Sequence, residues 1–202
     1  MSIPTLYYFD GRARGECSRL LYVYSGKQFN DARQPWPIKD DMKTLATFGQ
    51  LPYLEDGDVH LAQTVAIEYY IAEQCNLLGS TPAERAQVLQ FACLPADLYN
   101  PYFLCYLNKD EVNMAKFRTE KAPFVLKKLE AAVIKAGGEH LVGKTITWAD
   151  ITIFNVLDFF YQQPYNLIEV LQPFPALIEF HKKIGAIPQI AEYLKNRPKS
   201  IF

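Results

Sequence analysis

The chain has almost no excess of charge of either sign: 21 Lys and Arg stand against 22 Asp and Glu in 202 residues, a formal net charge of −1. That excludes the basic footprint of a nucleic-acid or anionic-lipid binder. Cysteine is also scarce. Cys17, Cys75, Cys93 and Cys105 are scattered, with no CxxC pair and no Cys/His spacing that suits zinc. They read as reduced, structural thiols of a cytosolic protein. No hydrophobic run approaches the length that spans a bilayer, and Met1-Ser2-Ile3-Pro4-Thr5 lacks the basic start and apolar core of a secretory leader. A cytoplasmic location is expected, with neither membrane nor nucleic acid as partner. Internal repeats and low-complexity segments are absent too. What remains is an ordinary globular composition, 50% hydrophobic and 21% charged, long enough for one large domain or two small ones.

The first part of the chain carries strand and helix signals in alternation. Thr5-Leu6-Tyr7-Tyr8-Phe9 reads as an aromatic-rich strand ended by Asp10-Gly11. A helical pattern follows from Arg14 to Ser25, with Gly26 as its stop. Phe29 to Arg33 reads as a second strand, and the Pro- and charge-rich stretch Gln34 to Thr47 as a loop with an irregular helix. Asp56-Gly57-Asp58 between two short apolar runs is a hairpin signal. Thr64, ahead of Val65, Ala66, Ile67, Tyr70 and Ile71, reads as a helix N-cap. The order βαβ–ββα puts these strands in one four-stranded sheet. From Thr81-Pro82-Ala83-Glu84, a capping box with proline at the first helical position, strand signals vanish. A helix from Pro82 toward Cys105 is expected to kink at Pro95 and break at Pro101. A second, Glu111 to Lys135, is expected to bend near Pro123. A third starts at the capping box Thr147-Trp148-Ala149-Asp150 and runs through Phe160, with shorter helices after Pro175 and Pro188.

The hairpin and the following helix, Phe48 to Ile67, form the stretch most suggestive of a ligand. A helix start leaves backbone N–H groups and a positive dipole end available to an anion, and Pro52 beside it could adopt a cis bond. The alternative is a hairpin–helix corner with no ligand.

LYYFDGRARGE near the N-terminus, FGQLPYLEDG, QTVAIEYYIA, TWAD and KKIGAIPQIAEYLKNRP together resemble the cytosolic glutathione transferases over the whole chain. Within them the resemblance is greatest to the Sigma class, which includes haematopoietic prostaglandin D synthase and the S-crystallins. It implies an α/β thioredoxin-like, glutathione-binding domain over residues 1–79, with a cis Leu51–Pro52 bond. It implies an all-α domain over residues 80–202 that carries the hydrophobic substrate site and the contacts of a homodimer. The implied activity is conjugation of glutathione, the cosubstrate, to small hydrophobic electrophiles without a metal.

Residue by residue, the resemblance makes Tyr8 the donor that stabilises the glutathione thiolate and Arg14 its electrostatic support; by residue type alone, a strand tyrosine is more often packing and Arg14 a surface charge. Leu51, before Pro52, pairs with the cysteinyl backbone, and Gln63 and Thr64 hold the γ-glutamyl carboxylate; the family usually has Ser in place of Thr64, and the hydroxyl is kept. Gln50, Trp36 and a lysine reach the glycyl end. The lysine is Lys39 or Lys43, and the preserved distance to Phe48 favours Lys43. Asp97 reaches the γ-glutamyl amine across the dimer, or is a solvated helix-face acid. Phe9, Gly11, Ala13 and Phe202 line the site of the hydrophobic substrate.

Two other functions compete. A glutathione-dependent prostaglandin isomerase would use an acid cluster that here reads Cys93, Ala96 and Asp97, and an aromatic wall where Thr152 stands. A non-enzymatic S-crystallin-like or carrier protein would typically insert a long segment where Tyr106 to Asp110 is short. His60, His140 and His181 fall in no readable constellation.

Overall fold

The computed structural model describes residues 3–161 and 167–200. Its contacts divide the chain into two compact units. One holds the residues up to Leu78 together with those from Ile187 onward, and the other is Gly79–Ala186.

The first unit is built on strands β1 (Thr5–Phe9), β2 (Asn30–Gln34), β3 (Tyr53–Asp56) and β4 (Val59–Ala62). They form one mixed sheet in the order β2-β1-β3-β4, with β1 parallel to β2 and antiparallel to β3. The four-stranded sheet is as the element order implies. The two-residue period of β1 sends Leu6 and Tyr8 into the core, while Tyr7 on the other face donates to Glu55 Oε2 at 2.8 Å. The β3–β4 hairpin closes on Gly57-Asp58, with Gly57 at φ 60° as such a tight turn requires. Helix α1 (Ala13–Ser25) ends at Gly26, whose φ of 69° is the left-handed cap expected of it. It packs against α3 (Thr64–Gln74). A short α2 (Asp40–Leu45) occupies the irregular loop.

One local reading is corrected in this unit. Thr64 is the first residue of α3 rather than its N-cap; Gln63 holds the cap position at φ 75°, with no side-chain capping bond. The last helix, α11 (Pro188–Asn196), packs on α1 rather than with the other C-terminal helices. Arg197, just beyond it, donates to Glu16 Oε1 at 2.9 Å.

The second unit is helical: α4 (Pro82–Cys93), α5 (Pro95–Asn108), α6 (Glu111–Lys116), α7 (Ala122–Lys135), α8 (Trp148–Phe160), α9 (Ile168–Leu171) and α10 (Pro175–Gly185). The Thr81 box forms as expected: the Glu84 N–H donates to Thr81 Oγ1 at 3.1 Å, and the Thr81 N–H to Glu84 Oε2 at 3.3 Å. Pro95 opens α5 instead of kinking a longer helix, and Pro101 sits inside α5 without breaking it. The burial of Leu98, Tyr99, Tyr102 and Cys105 on either side of Pro101 holds the helix through it. The expected bend near Pro123 takes the form of a π-helical turn, Phe117–Lys121, between α6 and α7. Its wider bonding, with the Ala122 N–H reaching Phe117 C=O, places the irregularity just before the residue that has no N–H to give. Every residue of α8 is buried, as befits a helix apolar on nearly all sides.

Among the described residues no helix is long and apolar enough to cross a membrane. All four cysteines are free thiols.

Candidate active site

The sheet register brings the sequence-derived candidates of the first unit to one end of the sheet. Tyr7 pairs with Tyr53, and Tyr53 with Ala62. Tyr8, the next residue of β1, Pro52, just before β3, and Gln63, just after β4, follow these pairs at the same end of the sheet. Two interstrand steps separate the row's ends, roughly 10 Å, the span of a three-residue extended peptide.

Tyr8 stands at one end of that row. It is buried, and its hydroxyl oxygen accepts the backbone N–H of Arg14 at 3.2 Å. That N–H is one of the orphan donors that every helix start must satisfy. Burial pushes the Tyr8 phenol above its ordinary pKa; the Arg14 N–H and the charges of Arg14 and Arg19 pull the other way without cancelling it. The group therefore remains a phenol at neutral pH, its oxygen engaged as an acceptor and its proton able to be donated. The Arg14 side chain is exposed in the first turn of α1.

Phe9 lies beside Tyr8, ring centroids 5.4 Å apart, and meets Trp36 edge-on at 5.0 Å. Trp36 keeps 66% of its surface exposed despite that contact, so an indole face is left open. The turn after β1 is tight. The Gly11 N–H donates to Phe9 C=O at 2.7 Å, and Ala13 opens α1 at φ 33°. Leu51–Pro52 is cis, as the resemblance implied, and so is Trp36–Pro37, which the sequence reading did not anticipate. At the far end of the row Gln63 is exposed, and Thr64 begins α3, whose start has no side-chain cap.

The other candidates sit on loops and helices. Gln50 is exposed in the loop before Leu51. Lys43, exposed on α2, donates to Asp40 Oδ1 at 2.9 Å, so its charge is partly engaged already. Lys39 precedes α2 at its N-cap position. Asp97 is exposed in the first turn of α5, in the second unit. Phe202 lies outside the described residues. Among the described residues no cluster of three His, Cys, Asp or Glu side chains is placed to hold a metal ion.

Two residues behind Tyr8 were missed in the sequence. Arg19 is fully buried on α1. It pairs with Glu16 at 3.2 Å and Asp31 at 2.9 Å, and donates to the carbonyls of Gly11 and Phe9 at either side of the turn. Its guanidinium carbon stands 5.7 Å from the Tyr8 ring centroid. The signal was an Arg between Cys17 and Leu20-Leu21 with Glu three residues before it, an ion pair on the wrong face to be solvated. The other is Gly15, whose bare backbone lies against the Tyr8 ring.

Comparison with known proteins covers nearly the whole chain. Residues 4–73 match the family model described as glutathione S-transferase, N-terminal domain, and residues 96–197 that described as glutathione S-transferase, C-terminal domain. The chain is similar to glutathione S-transferase 1 of Ascaris suum, 36% identical over 98% of each chain. It is similar to hematopoietic prostaglandin D synthase of Homo sapiens, 29% identical over 96% of each. Its fold is that of the crystal structure of the glutathione S-transferase from Ascaris lumbricoides, with a TM-score of 0.86, 31% identity and 100% of both chains covered.

Proposed function

The chain belongs to the glutathione S-transferase family, a family of transferases with glutathione as cosubstrate, and on that premise we propose that Tyr8 activates the glutathione thiol for attack on small hydrophobic electrophiles. The observation that carries the reading is the Tyr8 hydroxyl, which accepts the Arg14 N–H and is kept protonated by burial. A free thiol has a pKa near 8.5, and lowering it by about two units takes roughly 2.7 kcal/mol of preferential thiolate stabilisation. A phenol already polarised by a helix N–H and aimed at the sulfur supplies a charge-assisted hydrogen bond of that order. The thiol proton goes to solvent, the thiolate attacks the electrophilic carbon, a carbon–sulfur bond forms, and the leaving group departs with its electron pair. No protein cysteine takes part, in keeping with four scattered thiols.

The rest of the row holds the cosubstrate. Leu51 pairs with the cysteinyl backbone, and the uncapped start of α3, with Gln63 and Thr64, takes the γ-glutamyl carboxylate. Trp36, Gln50 and a lysine grip the glycyl end. The ion pair of Lys43 with Asp40 means that Lys43 would exchange one carboxylate for another. Phe9, Gly11, Ala13 and Phe202 are assigned to the electrophile. The working form in this reading is a cytoplasmic Sigma-class homodimer in which Asp97 of a second copy reaches the γ-glutamyl amine. Residues 1–79 serve glutathione, and residues 80–202 the electrophile and the dimer.

A second reading, glutathione-dependent prostaglandin isomerisation, draws on the likeness to the human synthase; Cys93 and Ala96 withhold carboxylates on which it would rely. Conjugation of glutathione to an aryl halide by the wild type and by Tyr8→Phe tests the main reading. No turnover in the wild type would favour a non-enzymatic S-crystallin-like or carrier protein. Full activity in Tyr8→Phe would overturn the assigned mechanism.

A further inference from the structure

Gly15 occupies a position where glycine is a poor choice. It lies buried in the first turn of α1, and inside a helix glycine costs about 0.5–1 kcal/mol relative to alanine. Several other glycines of the chain have an evident reason: Gly26, Gly137 and Gly138 have positive φ and open space around them. Gly15 has ordinary helical backbone, so no torsion requires it. What excludes a side chain there is Tyr8. A Cβ on Gly15 would stand 2.4 Å from both Cγ and Cδ1 of the Tyr8 ring, and 2.8 Å from its Cβ.

The ring therefore rests on the bare backbone of the first helical turn, and from there its hydroxyl reaches the Arg14 N–H, one residue earlier, at 3.2 Å. Arg19 limits the alternatives. Its bonds to the Phe9 and Gly11 carbonyls hold the chain that carries the tyrosine, so the ring cannot readily be accommodated by shifting the end of β1.

We propose that Gly15 is a positioning residue that acts through Tyr8: its missing side chain seats the phenol at the start of α1 and so sets how strongly the enzyme activates its thiol. The inference rests on the reading of Tyr8 as the thiolate's donor. An alanine at position 15 has to move the ring from 2.4 Å to the 3.4 Å at which ordinary contact begins, about 1 Å. A hydrogen bond already at 3.2 Å does not survive that displacement. The oxygen loses its polarising donor, and the proton it offers the sulfur moves off line.

The test is the pH profile of aryl-halide conjugation, with the KM for glutathione, in wild type, Gly15→Ala, Tyr8→Phe and the double variant. Gly15→Ala is expected to lower kcat/KM near neutral pH about tenfold and to raise the thiol inflection by about one pH unit. The KM for glutathione should stay within about twofold, because Leu51, Gln63 and Thr64, assigned to the rest of the cosubstrate, are untouched. In the Tyr8→Phe background the same substitution should leave the pH profile where it is. A wild-type profile in Gly15→Ala, or an equal loss in both backgrounds, overturns the proposal.

The seating is also tested without activity. Gly15→Ala is expected to lower Tm in the wild type and to lower it little in a Tyr8→Ala background, where the ring it meets is gone; an equal loss of Tm in both backgrounds overturns the proposal. If Tyr8→Phe retains full activity while the loss of Tm still depends on the Tyr8 ring, the thiolate reading fails and the seating of Tyr8 on Gly15 stands.

Discussion

Asp150→Ala should be among the most damaging single substitutions in the helical unit. Asp150 is fully buried at the start of α8. Its Oδ1 accepts the Leu141 N–H at 2.8 Å, and its Oδ2 accepts the Thr147 N–H at 2.7 Å and the Thr147 hydroxyl at 3.0 Å. One carboxylate thus caps the most buried helix of the unit and ties the preceding loop to it. Alanine strands two buried N–H groups, each costing about 1–3 kcal/mol, and the hydroxyl loses its acceptor. The expected loss is about 4 kcal/mol, a large part of the roughly 5–15 kcal/mol that a folded domain has in total. Asp150→Asn keeps the shape and one acceptor but turns an NH₂ group toward the other N–H, so about 2 kcal/mol is expected. Urea unfolding reads both as a shift of midpoint at constant slope. A loss below about 1 kcal/mol for Asp150→Ala, or an Asn variant as damaged as the Ala variant, would refute the claim that the loss comes from unpaired backbone donors.

Arg19→Met should destabilise the first unit by about 2–4 kcal/mol, because it removes the buried cation that Glu16 and Asp31 share, leaving them only Arg197 and Arg33, and takes the donor from the Phe9 and Gly11 carbonyls. Urea unfolding checks this, and a loss under about 1 kcal/mol would contradict it. Stability should also decline in alkali. Burial holds Tyr8, Tyr22, Tyr102 and Tyr193 above the ordinary tyrosine value, and burial followed by Glu55 pushes Tyr7 up to about 12. The native state keeps protons that the unfolded chain releases, so this contribution is complete below the ordinary value of 10.0 and is lost as pH rises above it. The urea midpoint should be insensitive to these groups up to about pH 9 and fall above about pH 10, and a midpoint unchanged across that range would be inconsistent with buried phenols. Gly79→Ala should cost more than an ordinary loop substitution, because Gly79 sits at φ 88° and a Cβ there would meet Glu84 Cβ at 2.9 Å. A Tm equal to wild type would count against that.

How much of this could be read beforehand depended on whether the cause was local. Gly26, the Gly57-Asp58 turn and the Thr81–Glu84 box are local chemistry, and each appears where its residues place it. A single four-stranded sheet followed from the element order; the register that pairs Tyr7 with Tyr53 and Tyr53 with Ala62 is a long-range outcome that no local pattern gives. Proline misled where packing outweighs propensity: Pro101 breaks nothing because buried neighbours on both sides hold α5. Pro123 bends its helix through a π turn whose exact form no local pattern specifies. Thr64 carries a capping residue's chemistry, yet the backbone turns one residue earlier, at Gln63. The packing of α11 on α1, and the Glu16–Arg197 pair that follows from it, join residues nearly a whole chain apart. Gly15 was invisible for a related reason: what it lacks matters only against a ring from the neighbouring strand.

The central claim is that the Tyr8 phenol lowers the pKa of the glutathione thiol. The direct measurement is the ultraviolet absorbance of the thiolate, titrated against pH, in complexes of glutathione with the wild type and with Tyr8→Phe. The bound thiol should titrate about two units below its free value of near 8.5 in the wild type, with most of that shift gone in Tyr8→Phe. A bound thiol with the same pKa in both proteins would contradict it.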